Sequence, residues 1–310
     1  MDGRITRRAV LAAGFVAAAD ACERSSTGGP VAGTSSPPGT RHGSGPSPSS
    51  GTAGIPTGTA APPAPGAGPL TALPRPGLAT VRRRTGVPVL CYHQIREPTA
   101  ADGAGARTYI VSPGDFRSQL AELARAGFTS IGPADYYRHL TVGAPLPPRS
   151  VLITFDDAAA GQWPLAVPAL RRHRFVATFF VMTVVLDKPG WLSRAQVRRL
   201  PGLGHTVAAH TWDHHPVPGY RGADWATQVT RPIRDLSRLA GTPVRWFAYP
   251  YGEWSRAAFP HLRDAGVLAA WQLAGTPLDT TEPLLTLRRR IVPGGMDLAG
   301  FRDLLASAGT

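Results

Sequence analysis

From residue 87 onward, short apolar runs alternate with amphipathic segments. This alternation restricts the chain to a sheet of parallel strands whose faces are covered by helices. Residues 87–92, 128–131, 151–155, 177–182, 205–210, 246–249 and 267–273 read as strands. A helix should start at Ser112, with Pro113 and Asp115 in its first turn, and stop at Gly127. Further helices are expected over 165–172, 194–200, 225–239, 257–265 and 298–306, with Pro232 and Pro260 kinking or shortening two of them. The pattern suits a (β/α) barrel and a doubly wound sheet equally. In both, chemistry gathers at the carboxyl ends of the strands.

The first 86 residues have a different composition. Residues 23–86 are mostly Gly, Pro, Ser, Thr and Ala, too poor in large apolar side chains to offset the entropy of ordering, so a disordered tether is expected. Residues 1–22 read as an export signal: Arg7-Arg8 precede an apolar run at 9–19 that is too short to span a bilayer. Thr6-Arg7-Arg8-Ala9-Val10-Leu11 looks like a twin-arginine signal. Ala19-Asp20-Ala21-Cys22 is similar to a bacterial lipobox, although Asp20 and the missing Leu at position 19 depart from it; Cys22 is the candidate lipidation site. Residues 87–310 remain as the folded domain, exported and held at the cell envelope or released outside the cell, and expected to be a monomer. The second cysteine, Cys91, lies across the tether, where a disulfide to Cys22 would staple nothing inside the domain. The net charge of +13 comes almost entirely from arginine, Lys188 being the sole lysine. No nucleic-acid-binding motif accompanies it, so nucleic acid is not an expected partner. Any membrane association would run through the N-terminal anchor.

Polar residues collect at the strand ends, in Cys91-Tyr92-His93-Gln94-Ile95, Thr154-Phe155-Asp156-Asp157, His210-Thr211-Trp212-Asp213-His214-His215 and Phe247-Ala248-Tyr249-Pro250-Tyr251-Gly252. Two adjacent carboxylates at the end of an apolar strand are hard to explain as core. Asp with two His is a metal-ligand set that leaves positions open for water and substrate. Consecutive side chains on a strand point apart, so one Asp can ligate while the other faces the bound water. Both His214 and His215 have a spacing from His210 that suits a second ligand.

This constellation resembles the polysaccharide deacetylase family with the NodB-type domain, carbohydrate esterase family 4. Thr154-Phe155-Asp156-Asp157 matches its first motif, His210-Thr211-Trp212-Asp213-His214 its second, and Phe247–Gly252 stands where its Arg-x-Pro-Tyr-Gly motif falls. Val87-Pro88-Val89-Leu90 with Tyr92-His93-Gln94-Ile95, Leu146-Pro147-Pro148-Arg149 and Leu287-Arg288-Arg289-Arg290-Ile291-Val292 further resemble the branch that deacetylates poly-β-1,6-N-acetylglucosamine. The resemblance implies a distorted (β/α)7-type barrel and metal-dependent removal of N-acetyl groups from an N-acetylglucosamine polysaccharide or peptidoglycan. It implies a divalent metal, zinc first with cobalt, nickel or iron also fitting, on Asp157, His210 and His214. Asp156 would be the base, His93 the general acid, and the Tyr251 backbone N–H an oxyanion donor, with Trp212, Tyr249, Pro250 and Tyr251 binding substrate and Trp254 as a further candidate to line the sugar groove. Three departures stand out: Ala158 replaces the Gly that usually follows the two Asp, Ala248 replaces the motif Arg, and the late Leu-x-His motif is absent. Two other readings stay open, a wall-binding module without turnover and an O-acetyl esterase.

Export by the twin-arginine route depends on the arginine pair itself, whereas a general secretory signal tolerates any cations. Replacing Arg7 and Arg8 together by Lys should therefore retain the protein inside the cell, read by fractionation and immunoblot; normal export of the double variant removes that route.

Overall fold

A computed structural model of the chain describes residues 68–307. The export signal, Cys22 and the tether as far as residue 67 lie outside the described residues. The strands are β1 (Val89–Tyr92), β2 (Gln94–Ile95), β3 (Ile110–Val111), β4 (Thr129–Ser130), β5 (Ser150–Phe155), β6 (Thr178–Val181), β7 (Thr206–Ala209), β8 (Trp246–Ala248), β9 (Ala269–Trp271) and β10 (Arg290–Ile291). The helices are α1 (Leu78–Arg84), α2 (Ala104–Arg107), α3 (Pro113–Arg125), α4 (Pro133–Val142), α5 (Ala166–Arg172), α6 (Arg194–Arg199), α7 (Arg231–Ala240), α8 (Ala258–Asp264) and α9 (Leu298–Ala306).

The main sheet is parallel throughout, in the order β10-β1-β5-β6-β7-β8-β9, with β4 added on β5. The β5 strand is its axis: β1 pairs along Leu152–Phe155, while on the other edge β4 takes Ser150–Val151 and β6 takes Thr154–Phe155. The seven-unit barrel is not completed. Leu287 makes one parallel bridge to Trp271 of β9, and β10 then pairs with β1, so a single bridge joins the sheet's two ends. The observed architecture is an open, distorted parallel α/β sheet. Segment 287–291 is too polar, with Arg at 288, 289 and 290, to pair as a full-length strand.

Strand alternation sorts the apolar side chains into two cores. Leu90, Tyr92, Ile153, Phe155, Phe179 and Phe247 join one, in which Phe155 stacks on Phe179 with ring centroids 4.9 Å apart. Val89, Leu152, Phe180, Trp246 and Trp271 join the other, with Tyr136, Tyr137 and Leu140 of α4. The α3 helix begins as its sequence requires: Ser112 caps it by accepting the Asp115 backbone N–H, and Pro113 stands in the first turn. The expected helix over 225–239 forms, with a π-helical turn, Ala226–Thr230, running directly into α7. Pro232 therefore lies inside a continuous helical run, and the widened turn just before it accommodates the hydrogen bond that its ring cannot donate. Pro260 falls in the first turn of α8, where no intrahelical N–H is needed. Among the described residues no helix is long and apolar enough to cross a membrane.

Residues 78–84, assigned by composition to the tether, form α1. Its Val81 is fully buried in the second core, and Arg84 donates to the carbonyl oxygens of Leu140 and Thr141 at the end of α4. One buried valine and a C-terminal arginine anchor a helix whose surroundings are Gly- and Pro-rich. The folded unit therefore starts before residue 87. A chain beginning at residue 87 should be less stable than one beginning at residue 68 by about 2–4 kcal/mol, from one buried aliphatic side chain and two charged hydrogen bonds. Urea unfolding checks this, and equal midpoints would return α1 to the tether.

Candidate metal centre

The carboxyl ends of β1, β5, β7 and β8 meet at one rim, and the polar clusters meet with them. Asp156 and Asp157 follow β5, His210 follows β7, and all three are at most 2 % exposed. His210 Nδ1 lies 2.8 Å from the Ala248 carbonyl oxygen, which an N–H satisfies. In the neutral ring Nε2 is then a lone pair, and it faces Asp157 Oδ1 at 3.4 Å. His214 Nε2 is also 3.4 Å from Asp157 Oδ1, and the three donor atoms lie within 4.8 Å of one another. Ligands about 2.0–2.2 Å from a tetrahedral zinc stand roughly 3.3–3.6 Å apart, so the spacing fits a divalent ion. The buried atoms Asp157 Oδ1 and His210 Nε2 have no hydrogen-bond partner among the described residues, as expected of atoms reserved for a metal. Burial pushes the His210 imidazole down, but Asp156 and Asp157 outweigh it and hold its pKa above the ordinary value. Carboxylates that favour a proton at Nε2 also favour a cation there. Burial dominates at His214 and pushes it down to about 4, which keeps that imidazole neutral.

His215 is excluded from this cluster by geometry. Its side chain is 71 % exposed, with Nδ1 2.8 Å from Asp213 Oδ1. Asp213 Oδ1 also accepts from Gln228 Nε2, and Gln228 Oε1 accepts the Trp212 backbone N–H. Gln228 belongs to the π-helical turn, which aims its side chain at the loop carrying His214.

The two carboxylates diverge as anticipated, though not by strand alternation. Asp157 lies past the end of β5 in the left-handed region, φ 74°, followed by Ala158 at φ 68°. Thr211, His214 and Tyr251 are also left-handed, at φ 65°, 70° and 59°. Of eight left-handed non-glycine residues among the described residues, these five lie in the loops around one centre, the others being Arg149, Arg174 and Asp187, so strained backbone is concentrated there. Left-handed backbone at Ala158 is a conformation that glycine adopts without strain.

Asp156 faces the same centre from a different setting. Arg289, fully buried just before β10, grips it bidentately: Nη1 is 2.5 Å from Oδ1 and Nη2 2.7 Å from Oδ2. Burial pushes the Asp156 carboxyl up, but Arg289 outweighs it and holds the carboxyl well below the usual range. The Cys91 thiol is free, buried and 3.6 Å from Asp156 Oδ2. Gln162, also buried, donates from Nε2 to the carbonyl oxygens of both His93 and Asp156, tying the β1 and β5 ends together. His93 stands beside this pair, its ring against Tyr109 and its donor atom within 4.8 Å of Cys91 Sγ and an Asp156 oxygen. Burial lowers its pKa, opposed by Asp157 and Asp156. Arg289 and Gln162 were not singled out from the sequence as site residues. Arg289 lies in the run Leu287-Arg288-Arg289-Arg290-Ile291-Val292, where three arginines look alike, while a lone Gln after a turn carries no signal.

The substrate-binding expectations divide. Trp212 and Tyr251 are 40 % and 38 % exposed, and the Tyr251 ring lies 4.4 Å from that of His214, centroid to centroid. Pro250 is buried. Tyr249 is a correction: it is 1 % exposed, and its hydroxyl donates to the Leu285 carbonyl oxygen inside the core. Trp254 is partly buried, its Nε1 donating to Gln272 Oε1.

Residues 143–270 match the family model described as polysaccharide deacetylase. The chitooligosaccharide deacetylase of Sinorhizobium fredii is 34 % identical, over 48 % of this chain and 67 % of that protein. The chain belongs to the polysaccharide deacetylase family. It is 26 % identical to a peptidoglycan-N-acetylglucosamine deacetylase of Bacillus cereus over 47 % of its own length, and spans 51 % of that relative. Its fold is similar to that of the Streptococcus pyogenes deacetylase PplD, solved in complex with acetate, with a TM-score of 0.65 at 21 % identity, covering 71 % of this chain and 97 % of that one.

Ala158→Gly should stabilise the fold by about 1 kcal/mol, since the left-handed penalty for an L-residue, roughly 1–2 kcal/mol, exceeds the added entropy of a glycine in the unfolded chain. Thermal and urea unfolding measure it; a destabilised variant would mean that packing of the Ala158 methyl outweighs its backbone strain.

Proposed function

We propose that the chain is a metal-dependent N-deacetylase of an N-acetylglucosamine polymer at the cell surface, on the poly-β-1,6-N-acetylglucosamine branch of its family. The observation that carries this is the pairing of two carboxylates with opposite duties: Asp157 with two imidazoles at metal-ligand spacing, and Asp156 locked by Arg289 beside them. Asp157, His210 and His214 would hold a divalent ion, with zinc first among the candidates since two imidazoles and a carboxylate suit it. When bound there, the ion supplies Lewis acidity, lowering the pKa of a coordinated water and polarising a carbonyl.

The remaining work falls to the chain. Asp156 accepts the proton of the attacking water, and Arg289 keeps it ionised and correctly turned for that task. The Tyr251 backbone N–H meets the charge that develops on the acetyl oxygen. The leaving group is a sugar amine, which departs only when protonated. His93, next to Asp156, delivers that proton to the nitrogen: the proton that Asp156 takes from the water passes to the His93 imidazole and from there to the departing amine, which leaves Asp156 ionised again. Trp212 and Tyr251 offer exposed aromatic faces to the sugar.

The alanine run 158–160, where the resembled motif begins with glycine, is what would favour a non-catalytic wall-binding module. Asp157 keeps its ligand position with Ala158 in place, which argues for turnover. The twin-arginine signal and Cys22 suit a monomeric enzyme exported and held at the envelope, where acetylated glycans lie.

The purified, metal-loaded protein should release amine from an N-acetylglucosamine oligomer and lose this on chelation. His93→Asn should keep the metal content and lower kcat by roughly 10²–10⁴, the range for a lost general acid. The loss should be smaller on an acetyl ester of an acidic alcohol. Unchanged amide turnover would place the acid elsewhere, and activity confined to esters would make the chain an O-acetyl esterase.

A further inference from the structure

Beside the metal centre lies an open cleft of about 390 Å³, lined by Pro218, Tyr251, Glu253, Trp254, Leu273 and Thr276 among others. That volume is within the ordinary range of small-molecule sites, about 300–1,000 Å³. Tyr251 belongs to both places: its ring packs against His214 and also walls the cleft. A polymer that presents one residue to the metal centre would therefore lay an adjoining residue in this cleft. The wall is rigidly placed. Gly252 is left-handed at φ 73°, and a Cβ there would come within 2.7 Å of the Leu273 backbone nitrogen, so only glycine lets the two walls approach this closely. Trp254 is fixed by its hydrogen bond to Gln272 and by stacking on Phe259, with centroids 5.5 Å apart.

The cleft carries one carboxylate. The Glu253 side chain is exposed and makes no hydrogen bond or ion pair among the described residues. The cation tied to a lining residue, Arg288, is held by Nε on the Thr276 carbonyl oxygen. A neutral sugar needs only an acceptor there, which an amide or hydroxyl would supply. An unpaired carboxylate beside aromatic walls matches instead a cationic sugar, and its attraction is local, since the chain as a whole is positive at +13. The product of N-deacetylation is such a sugar, because its amine takes up a proton near neutral pH.

Resting on the deacetylase reading, we infer that this cleft binds an already deacetylated glucosamine residue through its ammonium on Glu253. The enzyme would thereby favour acetylated residues adjoining deacetylated ones. Deacetylation then extends in blocks along the polymer rather than at random.

Titration calorimetry of the full chain with a glucosamine tetrasaccharide and with its fully N-acetylated counterpart tests this. Including chelator in a parallel series separates binding in the cleft from amine coordination at a metal. The wild type should bind the cationic tetramer roughly two- to fivefold more tightly than the acetylated one, the range for one exposed charge pair. Glu253→Gln retains an acceptor oxygen and removes the charge, so it should bring the two affinities to parity. An unchanged preference in Glu253→Gln, or none in the wild type with chelator present, overturns the inference. These outcomes are independent of turnover: a wild type that binds with the expected preference but releases no amine would fault the deacetylase reading, not the cleft.

Discussion

The buried ion pair between Arg289 and Asp156 is the contact on which the site depends. Taking a guanidinium and a carboxylate out of water is costly, and such pairs contribute little net stability against apolar replacements. What this pair provides is position. It fastens segment 287–291, joined to β9 by a single bridge, across to the end of β5. It also keeps a buried carboxylate charged beside two imidazoles and a second carboxylate. Without Arg289 only the neighbouring imidazoles of His210 and His93 would oppose burial at Asp156, and its affinity for a proton would rise, the wrong direction for a base. The guanidinium also lies over the Phe180 ring at 4.9 Å, so the aromatic core and the active rim hold it jointly.

Around that pair the loops are arranged under strain. Asp157, Ala158, Thr211, His214 and Tyr251 take left-handed backbone to turn their side chains or amides inward. Compensating bonds surround them. Thr211 Oγ1 accepts the His214 N–H, Gln228 fixes both Asp213 and Trp212, and Gln162 bridges the His93 and Asp156 carbonyl oxygens. Hydrogen bonds from fixed secondary structure thus make a preorganised rim out of unfavourable conformations.

Much of this was legible in the sequence, and the boundary is physical. Strands β5 to β9 announce themselves because both faces are covered and the runs are uniformly apolar. Asp157, His210 and His214 come together as their spacing indicates, because each follows a strand of one parallel sheet. The β10 strand was hidden: two residues, one an arginine, do not read as a strand, and a buried Arg289 looks like surface until its partner is seen. The α1 helix was hidden because Gly and Pro on both sides obscure one buried valine. Tyr249 misled for the opposite reason. An aromatic at a strand end suits a sugar groove or a core equally, and only the Leu285 carbonyl that accepts its hydroxyl decides for the core. Spacing alone admitted both His214 and His215, and the resemblance favoured His214; the backbone turns His214 inward and gives His215 to Asp213.

The chemistry of the rim requires one divalent ion shared by Asp157, His210 and His214. The most direct test of that ligand set is zinc stoichiometry and affinity by equilibrium dialysis for the wild type, His214→Ala and His215→Ala, each checked for folding by circular dichroism. One tight ion per chain is expected in the wild type and in His215→Ala, with tight binding lost in folded His214→Ala. Retention by His214→Ala with loss in His215→Ala would contradict it.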